Sequence, residues 1–178
     1  MAKFITGRAM LAQTYFAGKW HTLHNQLFLD DDNRLYFVPR YFVTDGYTIP
    51  KSLALLGGGK MEWDIRPAIQ HDFECKYHKI FRLKKELTLE ELRKTNILRD
   101  ITKNGITITV CENIEAEFLE IIDSTFNQAN SRFKRSLKAL DNMKNWRINM
   151  MRFAVNFNIG WIFGKKELEI GKIYKDYI

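Results

Sequence analysis

One carboxylate on a tight turn and a His-Asp pair further along are the residues of this chain best suited to chemistry: Asp45 in Thr44-Asp45-Gly46, and His71-Asp72 in Ala68-Ile69-Gln70-His71-Asp72. Two carboxylates and an imidazole suit two tasks. They can hold a divalent cation with open positions, so that a bound water becomes the nucleophile of a hydrolysis. They can equally form a clasp in which His71 hydrogen-bonds the Asp45 turn while Asp72 pairs with a basic neighbour or binds backbone N–H groups. Spacing constrains both readings: on a helix Ala68, His71, Cys75 and His78 share one face, and Asp72 points about 100° away. His71 and Asp72 therefore serve a common site only from its rim.

The elements that must position these residues are legible nearby. Asp45-Gly46 is a turn signal, because Asp tolerates the left-handed region and Gly enters it without strain. Pro50 biases Ile49 towards extended backbone and can start a short helical turn, which Gly57-Gly58-Gly59 ends. Asp64 then stands as an N-cap, with Pro67 in the first turn of a helix predicted to run from about Ile65 to about Tyr77.

Several sharper motifs are incomplete. Gly57-Gly58-Gly59-Lys60 lacks the Ser/Thr and the first Gly of a phosphate loop. His71, Cys75 and His78 lack the second ligand pair of a structural zinc site. The His71-Asp72 pair resembles that of the HD phosphohydrolases, for which His21 or His24 and Asp100 would have to complete the set. Asp30-Asp31-Asp32-Asn33 lacks the spaced ligands of a calcium loop and reads as a plain turn.

Upstream of the pair, residues from about Thr14 to Val43 read as β structure. Leu27-Phe28-Leu29 and Leu35-Tyr36-Phe37-Val38 form a hairpin about the acidic turn, and Pro39 marks a break before an edge strand. Downstream, Thr88-Leu89-Glu90-Glu91 is a capping box opening a helix whose apolar face is Leu92, Ile97, Leu98 and Ile101, with Gly105 as its stop. Ile106 to Val110 is β-branched enough for a short strand, the alternative being a turn into the following helix. From Asn113 to about Phe153 the apolar residues recur at helical spacing, Phe118, Ile122 and Phe126, then Ala129, Phe133, Leu137 and Leu140. Arg132, Lys134, Arg135, Lys138, Lys144 and Arg147 crowd the remaining surface. That basic helix reads either as a solvated outer face or as a contact for nucleic acid or another anionic polymer through Arg132, Lys134, Arg135 and Lys138.

Thr44-Asp45-Gly46-Tyr47-Thr48-Ile49-Pro50 followed by Ala68-Ile69-Gln70-His71-Asp72 resembles the pattern of a phage-associated family, the domain-of-unknown-function family numbered 1353. Arg93-Lys94-Thr95-Asn96 sits where that family's third element falls, and Arg152 to Gly160 resembles its fourth. Asn96 replaces an expected Asp, which removes a carboxylate from any metal set. The resemblance implies a phage or prophage origin, with other virion proteins as partners and the virion as destination after synthesis in a host bacterial cytoplasm.

Composition bounds the rest. The chain has 178 residues, 46% of them hydrophobic, enough for one domain with a sizeable core. Cys75 and Cys111 are too few for a disulfide framework, and no run approaches the roughly 18 apolar residues of a membrane span. A net charge of +7 attracts anionic partners without choosing among them. The expected architecture is α+β, a small N-terminal antiparallel sheet followed by a mostly helical C-terminal half. It forms a single domain with its core at about 14–104 plus 146–165 and a basic helical extension at about 105–145. Two functions follow as expectations. One is a virion-associated tail or neck component with no cofactor. The other is a metal-dependent hydrolase acting on a cell-wall or nucleotide substrate through Asp45, His71 and Asp72.

Overall fold

Short apolar and β-branched runs divided by polar turns favour antiparallel pairing, and this chain uses more of them than its helical periodicity suggests. The computed structural model describes residues 2–7, 11–13, 20–44, 64–140 and 143–156. The Asp45-Gly46 turn, the Gly57-Gly58-Gly59 loop and the segment from Trp161 to Ile178 lie outside them. In chain order the strands are β1 (Lys3–Phe4), β2 (Leu11–Gln13), β3 (Trp20–Thr22), β4 (Gln26–Leu29), β5 (Leu35–Val38), β6 (Val43–Thr44), β7 (Lys79–Leu83), β8 (Leu98–Lys103), β9 (Ile106–Cys111) and β10 (Leu119–Asp123). The helices are α1 (Arg66–Tyr77), α2 (Leu89–Lys94), α3 (Phe126–Lys138) and α4 (Asn145–Asn156), with a 3-10 turn at Ala116–Phe118.

A five-stranded antiparallel sheet in the order β1-β4-β5-β7-β10 carries the core. Its centre is the expected hairpin, with Leu27 opposite Phe37 and Leu29 opposite Leu35. The acidic turn is used locally. Asn33 takes a positive φ of 59°, Asp30 Oδ1 accepts from Asp31 N–H, and Asp32 accepts from Arg34 N–H and from the Tyr36 hydroxyl. After Pro39 the chain leaves this sheet, and β6 joins a smaller one in the order β2-β3-β6.

α1 and α3 pack against each other, and α1 lies against β7 and β5. Ile69 and Phe73 from α1, Phe37 and Phe81 from the sheet, and Phe133 and Leu137 from α3 belong to one buried cluster. Each such side chain contributes about 1.5–3 kcal/mol on burial. Residues 119–137, which the sequence places in a basic extension, thus supply Leu119, Phe133 and Leu137 to the same core as Phe73.

The expectation of a mostly helical C-terminal half is overturned. β8, β9 and β10 all lie beyond Ile97, and helices are spread through the chain. Leu98 and Ile101 are spaced like a helical face, yet Ile101 is exposed and the segment pairs with β9 from Leu98↔Cys111 to Lys103↔Ile106. Asn104 and Gly105 both adopt positive φ, 52° and 77°, so this pair makes the two-residue hairpin turn rather than a helix stop. Phe118 and Ile122 likewise mimic helical spacing, but Leu119 to Asp123 pairs in full with β7.

Helix starts follow the residues closely. Thr88 Oγ1 accepts from Glu91 N–H at 3.2 Å, whereas the Glu91 carboxylate turns to Lys94, so one arm of the expected capping box forms. The reciprocal box stands at Thr125 and Gln128 on α3. α2 ends where Asn96 enters the left-handed region at φ 57°, a position Asn tolerates. Among the described residues no helix is long and apolar enough to cross a membrane.

Candidate functional site

α1 is set by its first turn. Pro67 fits there because its missing N–H is one that the helix leaves unbonded. Ile65, not Asp64, is the N-cap. Asp64 instead accepts from Arg66 N–H and holds the Arg66 guanidinium, which also donates to the Thr6 carbonyl and stacks 4.4 Å from the Phe4 ring. The helix closes at His78, left-handed at φ 53°, whose N–H bonds the Glu74 carbonyl.

His71 is 2% exposed and faces α3. Its Nε2 lies 2.9 Å from Asn130 Oδ1, and its ring packs 4.8 Å from that of Phe133. With an amide oxygen as partner, Nε2 carries the hydrogen of a neutral imidazole. Burial lowers the His71 pKa, and the Asn130 bond and the Glu74 charge only partly oppose that fall. Cys75 Sγ sits 3.7 Å from both ring nitrogens, hence aligned with neither lone pair. Thiol and imidazole are both buried, which suits packing better than nucleophilic attack on an incoming substrate.

Asp72 departs from His71 as helical geometry requires. It turns to β6, where the Thr44 hydroxyl donates to Asp72 Oδ2. Asp45 lies outside the described residues, and so does the expected Asp45–His71 contact. The described partners of the pair are thus Asn130 and Thr44, on two different elements. Of the other nominated residues, Asp100 lies on exposed β8, held by Arg93 and Thr109, and Asn96 is exposed at the end of α2. No three His, Cys, Asp or Glu side chains converge to hold a metal among the described residues.

A buried charge cluster begins two residues beyond the His71-Asp72 pair. Glu74 is 0% exposed, and Arg132 from α3 reaches it with Nε at 3.0 Å from both carboxylate oxygens and Nη2 at 2.5 Å. Ser124 donates to Glu74 at 2.6 Å and accepts from Arg132 at 2.6 Å, while the Arg132 guanidinium lies 5.3 Å from the Tyr36 ring. Burial alone would lower the Arg132 pKa, but the bond and charge of Glu74 carry it above its ordinary value. One turn along α3, Arg135 forks onto Asp30 with two bonds of 2.6 Å. Arg132 and Arg135, assigned from sequence to a basic outer face, are therefore engaged within the fold. A signal for Arg132 existed: it adjoins Phe133 on the stripe that runs from Ala129 to Leu137, where an unpaired cation is not tolerated.

Cys111 is the other buried thiol, pushed up to about 12 by burial and by the neighbouring Glu112 charge. No protein-family model, curated protein or solved structure matches this chain.

Proposed function

We propose that this chain is a phage or prophage late protein, a virion-associated structural or assembly component of a tail or neck. The observation that supports this most is the β8–β9 ribbon. Among the described residues it forms a two-stranded sheet of its own, and β8 has no second neighbour strand there. Register puts Ile101 opposite Ile108 and Lys103 opposite Ile106 on one face, where Ile106 is 68% exposed and Ile101 39%. The base of the ribbon is fixed in the core through Leu98 and Cys111. An anchored ribbon with an open edge and an apolar face suits strand addition by a partner protein. The TDG and HD segments, by their resemblance to a phage family, give the class of partner.

Mass spectrometry of purified virions tests this reading. The protein is expected in them, and Ile106→Lys is expected to reduce its incorporation several-fold while thermal melts stay unchanged. Virions that lack the protein, or that incorporate Ile106→Lys as fully as wild type, would overturn it.

One observation favours the metal-dependent hydrolase as a second reading. Thr44, which precedes Asp45 in sequence, binds Asp72 directly. A divalent ion there would be held by Asp45 and Asp72, with His71 placed to join only if it leaves Asn130. Under the structural reading, metal analysis of the purified protein returns no stoichiometric zinc or manganese. Stoichiometric metal that disappears in a folded Asp45→Ala variant would move the assignment to the hydrolase.

A further inference from the structure

The first turn of α4 leaves an aromatic ring, Trp146, half in water beside a cation. Helices α3 and α4 and the turn joining them carry Arg132, Lys134, Arg135, Lys138, Lys144, Arg147 and Arg152 against a single acid, Asp141. Arg132 is committed to Glu74 and Arg135 to Asp30. Lys138 closes α3, Lys144 precedes α4, and both are exposed. Leu140 N–H donates to the Leu137 carbonyl at the end of α3, and Arg147 N–H donates to the Lys144 carbonyl at the start of α4.

Trp146 follows directly and is 48% exposed, although Ile148 and Met151 of the same helix are buried. The Arg147 guanidinium lies 5.3 Å from the Trp146 ring centroid, a cation–π contact that holds ring and charge together. Leaving half of an indole in water forgoes much of the burial free energy a Trp can contribute. A flat ligand of negative charge would recover it.

We propose that Trp146, with Lys138, Lys144 and Arg147, forms a binding surface for single-stranded nucleic acid, the indole stacking on an unpaired base while the cations meet the adjoining phosphates. Three features favour this occupant. Arg147 lies over the accessible Trp146 ring and Lys144 is two positions before it in the chain, and cations beside an exposed ring are what single-strand binders use. The chain as a whole carries +7. A base within a duplex is already stacked on both sides and has no face to offer the ring, so an unpaired strand fits better. Phe133, on the apolar stripe of α3, is buried and offers no face to a ligand. Trp146 lies outside that stripe, on the next helix. This surface does not depend on the β8–β9 ribbon or on the assembly reading.

Fluorescence anisotropy of a labelled oligothymidylate of about 20 nucleotides, longer than one small domain occupies, titrated with the full chain tests the proposal. Saturable binding that weakens with salt is expected. Lys138→Ala and Lys144→Ala should each flatten the dependence of log K on log salt by about 0.7. Trp146→Ala should weaken binding about 5- to 100-fold, and Trp146→Phe should retain most of the affinity. Binding unchanged by Trp146→Ala would overturn the proposal, because a stacking surface cannot be indifferent to its ring. So would heparin or duplex DNA competing as well as the unlabelled oligonucleotide, which would mark a general polyanion patch. Salt slopes unchanged in the two lysine variants would overturn it independently of any effect of Trp146→Ala on folding.

Discussion

Arg132→Ala is expected to destabilise the fold by about 3–5 kcal/mol, the usual consequence of leaving one charge of a buried pair without its partner. Glu74 is fully buried and takes three contacts from Arg132 and one from Ser124. Removing the guanidinium strands a carboxylate in a medium that cannot solvate it, beside the Tyr36 ring that the cation also covered. The pair itself is not the source of so large a number: its mutual attraction roughly offsets the desolvation of both ions. Glu74→Gln combined with Arg132→Met should therefore lose far less than Arg132→Ala alone. Denaturant melts of the three proteins decide this. If Arg132→Ala and the double variant were equally stable, the cluster would not be behaving as a desolvated ion pair.

The sequence made local features visible and hid those fixed by distant partners. The hairpin about Asp30-Asn33, the α1 span, the Thr88 cap and a strand after Gly105 are each written within a few residues, by alternation, by Pro67, by a hydroxyl three residues before an N–H, and by β-branching. β8 and β10 were lost because Leu98 with Ile101, and Phe118 with Ile122, sit at helical spacing by coincidence. In a strand Leu98 and Ile101 face opposite sides, and one of them is indeed exposed. Asn104-Gly105 carried the correction, since two successive positive φ values specify a hairpin turn. The Glu74–Arg132 pair spans 58 positions, and the Asp30–Arg135 pair 105. No periodicity reports such a pairing. What the sequence does offer is a charge beside an apolar stripe at Arg132; Glu74 gives no such sign, because Gln70, His71 and His78 share its side of α1. The same logic bears on the candidate site: His71 and Asp72 diverge to Asn130 and Thr44 because adjacent residues on a helix point about 100° apart, while Asp45 lies outside the described residues.

His71→Ala is expected to cost about 1–3 kcal/mol near pH 7.5, because the bond from the imidazole to Asn130 is lost and a buried ring leaves a gap beside Phe133. The pH dependence gives a stricter test. The His71 pKa is lowered in the folded protein from an ordinary 6.5, first by burial. A lowered histidine pKa means that the unfolded chain takes up a proton more readily than the folded one. The stability that neutral His71 contributes is therefore fully present above pH 6.5. It diminishes as the pH falls below that value, by up to about 1.4 kcal/mol per pH unit until the folded-state pKa is reached. Subtracting the stability of His71→Gln, which cannot titrate, removes every other group from the comparison. The gap between wild type and His71→Gln should narrow steadily from pH 7 to pH 5. A gap that stays constant over this range would mean that His71 is solvated in both states. A gap that widens towards acid would mean that an anion faces the ring and raises its pKa, and the Asp45 carboxylate would then be the first partner to examine.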